Sequence, residues 1–414
     1  MKKSRNLRID GDRLWNSIME VAKIGATDKG GSKRLALTDL DRDCRDLFIK
    51  WCKEAGCNVS VDNIGNIFAR RQGKNPESAA VMTGSHLDTQ PTGGRFDGVF
   101  GVLAGLEIIR TLNDVRAETE RPIDLVVWTN EEGSRFAPAM VASAVFSGKY
   151  DLAETLLIKD QDGATIGEEL ERIGYSGDEK VGERELYAYL EAHIEQGPIL
   201  ESEKKDIGVV TGAQGQRWYE ITLTGVESHA GPTPMDIRKD ALLGSAQVIN
   251  LVNQIGHKYL PNSCATVGML EVYPNSRNVI PGQVFFTIDF RHQNDDQLDC
   301  MDKDVRKGIS SIAESIGLTF EINEVLYLPP IIFDDTCINS VRKSAIDNGY
   351  SWQEINSGAG HDACNIAAIA PTSMIFIPCI DGISHNEKED AKPEWVTSGG
   401  QVLLTSVTDL AKII

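Results

Sequence analysis

The sequence predicts an α/β protein: a discontinuous domain at residues 1–212 and 329–414 that carries an inserted α+β domain at residues 213–328. Its 414 residues exceed what one compact core ordinarily holds. Short apolar runs alternate with helically spaced stretches up to about residue 130 and again after residue 335, as in sheets joined by helices. Between these regions the apolar residues alternate as in half-buried strands, in the order strand–helix–strand–strand–helix–strand.

The elements follow in chain order. Residues 11–27 and 39–56 read as amphipathic helices, the second with Leu47, Phe48, Trp51 and Cys52 on its apolar face. Asn58–Val61 and Asn66–Arg71 flank the turn signal Asp62-Asn63-Ile64-Gly65, which predicts a hairpin. Ala79–Thr83 is a buried strand that runs into the Gly-rich loop Gly84–Gly98. Val99–Leu112 follows with Val99, Val102, Leu103, Leu106 and Ile109 at helical spacing. Pro122–Asn130 is a second buried strand, with a helix expected from about Ser134, and residues 150–185 read as short surface helices and loops. Leu186–Ile194 is a strand entering His193-Ile194-Glu195-Gln196-Gly197-Pro198. The inserted part has strands at Arg217–Thr224, Ala265–Val272, Val284–Phe290 and Leu318–Leu326, with helices at Asp240–His257 and Asp295–Ile316. That is the ferredoxin-like order. Helix, strand and helix then return at Thr336–Asn348, Ser373–Pro378 and Gly399–Ile413.

Composition excludes several function classes. A net charge of −19 repels phosphate backbones and anionic lipid heads, so neither nucleic acid nor membrane is an expected partner. No run of apolar residues is long enough for a membrane span, and the basic start Met1–Arg8 lacks the apolar core of a secretory signal. A cytoplasmic protein is expected. The eight scattered cysteines contain no Cys-x-x-Cys and read as reduced, mostly buried thiols.

His86, Asp97, Glu132, His193 and His385 each stand at a predicted strand end or in the loop after one. Imidazole nitrogen and carboxylate oxygen are the ligands of zinc and similar ions. Two ions about 3.5–4 Å apart, sharing a carboxylate, would use five such side chains. Asp97, in a Gly-flanked turn, is the natural bridge. Asp88, two residues beyond His86, would accept a hydrogen bond from the far imidazole nitrogen and fix its tautomer. His86-x-Asp88 alone is a weak signal, since most such histidines are solvated or core residues. Five ligand types in Gly-rich strand-end loops outweigh that. Glu131-Glu132 reads plainly as two acids at a helix start, or as a division of labour. In the second case Glu132 binds metal while Glu131 takes a proton from water and returns it to a leaving nitrogen.

The inserted part holds Glu227-Ser228-His229-Ala230-Gly231-Pro232-Thr233-Pro234 and Ser276-Arg277-Asn278-Val279-Ile280-Pro281-Gly282, either turn-forming sequence or functional loops. Arg291 is either a surface charge or the cation that grips a substrate carboxylate. His257 and His292 are assigned no function.

Together, Gly84-Ser-His-Leu-Asp-Thr, Asp97-Gly98, Asn130-Glu-Glu-Gly-Ser-Arg-Phe, His193-Ile-Glu-Gln-Gly-Pro, Ser228-His-Ala-Gly-Pro-Thr-Pro, Ser357-Gly-Ala-Gly-His-Asp-Ala and Gly382-Ile-Ser-His-Asn resemble the amidohydrolase branch of the M20 metallopeptidase family. That branch includes N-carbamoyl-L-amino-acid hydrolase, β-ureidopropionase and allantoate amidohydrolase. The resemblance runs from about residue 12 to residue 412. It implies a zinc-peptidase-like catalytic domain with an inserted lid and dimerisation domain. It also implies two divalent ions per subunit, zinc or manganese, held by His86, Asp97, Glu132, His193 and His385. Glu131 would be the general base, with Asp88 beside it in the catalytic set. Arg291 would hold a substrate carboxylate, with Gln216 and the Gly360 backbone nearby. His229 and Asn278 would serve a neighbouring subunit's site in a homodimer, His229 also steadying the oxyanion. His361 would lie close to the pocket. The expected reaction is hydrolysis of the carbamoyl C–N bond of an N-carbamoyl amino acid. Gly94-Arg95-Phe96-Asp97-Gly98 favours that substrate class over allantoate. An aminoacylase or dipeptidase of the same fold, or a non-catalytic binding protein, are further alternatives.

Overall fold

The computed structural model describes residues 7–414. Most of the basic start Met1–Arg8 lies outside the described residues. The chain divides into two compact units: one runs through Thr211 and resumes from Phe333 to Ile414, and the other is Gly212–Ile332.

The first unit is a mixed sheet between layers of helices. Strand order is Asn58–Val61, Ile67–Arg71, Ile123–Trp128, Ala80–His86, Leu186–Ile194, Thr372–Ile377, then the strand that begins at Ile207. The four central strands, from Ile123–Trp128 to Thr372–Ile377, are mutually parallel, and the flanking pairs are antiparallel. The central strands are buried over most of their length and so read as apolar runs without alternation. Helix Val99–Asp114 lies on this sheet almost wholly buried. Its apolar side chains each contribute roughly 1.5–3 kcal/mol on burial. Glycines let it approach: a Cβ on Gly101 would stand 2.2 Å from the Ala192 carbonyl oxygen. Helices Gly11–Val21 and Pro393–Ala411 complete that layer.

Two expectations in this unit are corrected. The first helix spans Gly11–Val21, shorter than 11–27. No helix starts at Ser134; the next is Val141–Phe146. Pro138 keeps its predecessor out of helical conformation, and the Arg135 side chain turns away to Asp160 and Glu169, 3.0 and 2.8 Å distant.

The second unit is an antiparallel sheet in the order Leu270–Tyr273, Gln283–His292, Gly215–Thr224, Thr319–Leu328, with helices Ala241–Lys258 and Asp295–Ile316 packed on it. Tyr219, Ile221, Leu223, Phe286, Ile288 and Phe290 alternate inward to meet Val248, Val252, Met301 and Val305 of the helices. The single strand expected at Ala265–Val272 is two, Ser263–Thr266 and Leu270–Tyr273, both paired with Gln283–His292 and broken around Gly268.

All eight cysteines are free thiols, five of them buried. Among the described residues no helix is long and apolar enough to cross a membrane.

Candidate metal centre

The four parallel strands converge at their carboxyl ends, where α/β sheets bind ligands. His86 closes Ala80–His86, Glu131 and Glu132 follow Ile123–Trp128, His193 lies near the end of Leu186–Ile194, and His385 lies beyond Thr372–Ile377. Asp97 comes from the loop between Ala80–His86 and helix Val99–Asp114. Gly98 takes a left-handed conformation (φ 67°) that a side chain would resist, and a Cβ there would lie 2.5 Å from the His86 ring. The glycine lets the loop fold flush against the imidazole.

Two groups of ligand-type atoms result: His86, Asp97 and His193, all buried, and Asp97, Glu132 and His385. Asp97 belongs to both. His193 Nε2 is 3.1 Å and His86 Nε2 3.5 Å from Asp97 Oδ1. His385 Nε2 is 3.4 Å from Asp97 Oδ2 and 3.3 Å from Glu132 Oε2. The His385 side chain is 51% exposed, so the second group is open on that side.

The donor set fits divalent cations. Nδ1 of His86 lies 2.9 Å from the Asp88 carbonyl oxygen, and Nδ1 of His193 lies 2.9 Å from that of Ile194. A carbonyl only accepts, so the proton sits on Nδ1 and the Nε2 lone pair faces Asp97. Gly98 N–H donates to His193 Nε2 at 3.2 Å, in keeping with that tautomer. Asp88, Asp97, Glu131, Glu191, Asp362 and Glu389 are also all buried. Among the described residues no Lys or Arg forms an ion pair with any of them; Asp88, Asp97 and Glu131 face histidines. Such an excess of buried negative charge is what bound cations would offset.

The carboxyls are pushed apart in acidity. Burial alone would lift Asp97, but the neighbouring His193, His385 and His86 hold it well below the usual carboxylate range. Burial, reinforced by Asp362 and Glu132, moves Glu131 well above it. Glu132 is raised to about 7, by burial and then by Asp97. Groups with separated acidities in one site suit acid–base chemistry.

Asp88 does its work differently from expectation. Its carboxylate oxygen is 3.9 Å from His86 Nδ1, and its backbone carbonyl orients that ring instead. The carboxylate accepts from the backbone N–H groups of Glu131 (3.3 Å) and Glu132 (3.2 Å), which point at it from the turn. Asp88 therefore ties the loop carrying His86 to the Glu131-Glu132 turn.

Several neighbours carried no role in the sequence reading. Gln90 holds both Glu132 oxygens, through its backbone N–H at 3.1 Å and its side-chain amide at 2.6 Å. Gln196 donates to Asp97 Oδ2 at 2.9 Å. His361 packs edge-on against His193 with ring centroids 4.5 Å apart, and Gly360 precedes it. Gln196 and His361 stand inside motifs quoted above, which was their only signal. Gln90 had none.

In the second unit, residues 228–229 pair with 279–280, and the Ala230 N–H bonds to the Asn278 carbonyl at 2.9 Å, so His229 and Asn278 lie side by side. Arg291 and Gln216 are cross-strand partners, and the Arg291 guanidinium pairs with Asp289 at 3.0 Å.

Two ligand groups sharing an aspartate at the carboxyl edge of an α/β sheet define a metallohydrolase-type centre. The chain belongs to peptidase family M20/M25/M40, whose model matches residues 82–409. It is 49% identical over 409 residues to an N-carbamoyl-L-amino-acid amidohydrolase of Rhizobium meliloti, covering 99% of this chain and 98% of that protein. An allantoate amidohydrolase of Bacillus subtilis is 32% identical, with 94% of this chain and 95% of that one covered. The crystal structure of an amidase of the hydantoinase/carbamoylase family from Burkholderia multivorans superposes with a TM-score of 0.95 at 61% identity, covering 98% of both chains.

Proposed function

We propose that the protein is a cytoplasmic, homodimeric amidohydrolase that cleaves the carbamoyl C–N bond of N-carbamoyl amino acids, giving the amino acid, ammonia and carbon dioxide. Glu131 is the observation that carries this reading. Its carboxylate lies 3.5 Å from His86 Nε2 yet belongs to neither ligand group. A binding protein has no use for a proton acceptor there, and a hydrolase does.

His86, Asp97 and His193 would hold one divalent ion, and Asp97, Glu132 and His385 a second, zinc or manganese. When bound, the ions would polarise the scissile carbonyl and make water more acidic. Glu131 takes a proton from the attacking water and returns it to the departing amine. Asp88 keeps Glu131 and Glu132 on their turn, and Gln90 orients Glu132. Arg291, with Gln216 beside it on the next strand, is assigned the substrate carboxylate, and the Gly360 backbone is assigned a substrate contact of its own. His229 and Asn278 serve the active site of the partner in the dimer, His229 steadying the oxyanion.

The deciding experiment is ammonia release by metal-loaded protein from N-carbamoyl-L-methionine, its D-enantiomer, N-carbamoyl-β-alanine and allantoate. Turnover of a carbamoyl substrate is expected. Turnover of allantoate alone would move the protein to the substrate of its Bacillus subtilis relative, and silence on all four would overturn the reading. Treatment with a chelator should abolish turnover, and Zn²⁺ or Mn²⁺ should restore it; activity untouched by chelation would remove metal from the mechanism.

Arg291→Ala should raise KM for carboxylate substrates by about 10- to 100-fold with kcat little changed, the worth of a charge-assisted hydrogen bond. An unchanged KM would refute the carboxylate clamp.

A further inference from the structure

Glu389 lies in the charged run Asn386-Glu387-Lys388-Glu389-Asp390, which reads as a solvated surface turn. In the structure its side chain is buried, at 1% exposure. It makes no ion pair among the described residues; hydrogen bonds alone hold its charge. Oε1 accepts from the backbone N–H groups of Phe96 at 3.0 Å and Asp97 at 3.1 Å. Oε2 accepts from the Ser384 hydroxyl at 3.1 Å. That hydroxyl is also 3.2 Å from Asp97 Oδ2.

The loop at 94–97 is shaped around this carboxylate. A Cβ on Gly94 would stand 2.1 Å from the carboxyl carbon of Glu389, so only glycine leaves room. Beside it, Arg95 reaches Asp390 at 2.7 Å and closes the same two segments on the outer side. His385, next to Ser384, takes a left-handed backbone (φ 54°) that an isolated turn would not hold readily. A buried carboxylate without a counter-charge is costly unless its hydrogen bonds are well made. Here those bonds tie the loop that carries Asp97 to the turn that carries His385.

We propose that Glu389 is a positioning residue for the Asp97–Glu132–His385 half of the metal centre, acting through the Asp97 backbone and the Ser384 hydroxyl. The Ser384 hydroxyl has one proton and two carboxylates within reach. Glu389 competes for that proton, so that Asp97 Oδ2, which also accepts from Gln196 at 2.9 Å, keeps a lone pair for a cation. The first half, His86–Asp97–His193, draws its other ligands from strand ends that Glu389 does not touch. The inference rests on the metal-centre reading above.

The test is calorimetric titration of chelator-stripped protein with Co²⁺, with the visible absorption of bound Co²⁺ as a second readout and no substrate present. The wild type should take two ions. Glu389→Ala should keep one near wild-type affinity and bind the other about 10- to 100-fold more weakly, as expected for an outer partner of a ligand. Glu389→Gln can still accept from both amides through its carbonyl oxygen but now donates to Ser384 Oγ, turning that hydroxyl's proton to Asp97. It should lose less of the second ion's affinity than Glu389→Ala. Ser384→Ala should weaken the same ion. Loss confined to one ion is not what general damage to the fold would produce. If Glu389→Ala does not fold, Glu389→Gln and Ser384→Ala decide the matter. Wild-type affinities in the folded variants, or equal loss of both ions, would overturn the inference and leave the metal-centre reading standing. A wild-type chain that binds no Co²⁺ would overturn both.

Discussion

Glu131→Gln should leave metal binding intact and lower ammonia release by about 10²- to 10⁴-fold, the usual contribution of a positioned acid–base group. In barrier terms that is about 3–5 kcal/mol. The substitution keeps shape and hydrogen-bonding capacity while removing the basic oxygen. The backbone at 131 should not move, because the Glu131 carbonyl accepts from Met140 N–H at 2.7 Å and its N–H bonds to Asp88, neither of which involves the side chain. Burial and the neighbouring Asp362 and Glu132 push the Glu131 carboxyl well above its ordinary range. A variant that retained a tenth or more of wild-type turnover would take the proton-transfer role from Glu131. A variant that lost its metal would show that Glu131 is a ligand.

Arg45→Met should destabilise the fold by about 3–5 kcal/mol, as expected when one member of a buried ion pair is removed. Arg45 and Asp41 are fully buried and 2.9 Å apart. The same guanidinium donates to the Gly65 carbonyl at 2.8 Å and reaches the Thr129 hydroxyl at 3.3 Å. The substitution would leave Asp41 charged in the interior with only the Leu37 N–H, 2.8 Å away, as a good donor. Replacing both partners, Arg45→Met with Asp41→Leu, should recover much of the loss, since the uncompensated charge goes too. Denaturant unfolding measures both. A single variant within about 1 kcal/mol of wild type would show that the pair carries little. Thr129 sits two residues before Glu131, so this ion pair also anchors the strand end that presents the base.

The metal ligand candidates were legible because each one interrupts an apolar strand with a polar residue in a Gly-rich loop. Topology then did the rest: neighbouring parallel strands must end at one edge, so residues far apart in sequence meet. The interior hydrogen-bond layer was much less legible. Glu389 and Gln90 are ordinary polar residues in polar loops, and only the three-dimensional course of the loops turns them inward. Asp88 was placed at the site, but its carboxylate binds amide groups and not the imidazole, a distinction that depends on side-chain direction. The break at Gly268 and the absent helix at Ser134 arose where one glycine or one proline overrode an otherwise fitting pattern.

The chain leaves the first unit after Thr211 and re-enters it at Phe333, whose N–H bonds to the Thr211 carbonyl at 3.0 Å. For the host sheet the whole excursion is therefore a loop between two touching residues. Closing a loop costs free energy that grows only with the logarithm of its length, about 0.6 kcal/mol for each doubling. A folded insertion with its own core asks even less of its host than a floppy loop would. The two parts of this chain can thus be inherited on separate terms: the host constrained by the geometry of its ligands, the insertion free to exchange surface residues, lengthen its strands or change what it recognises without reopening the sheet that feeds it.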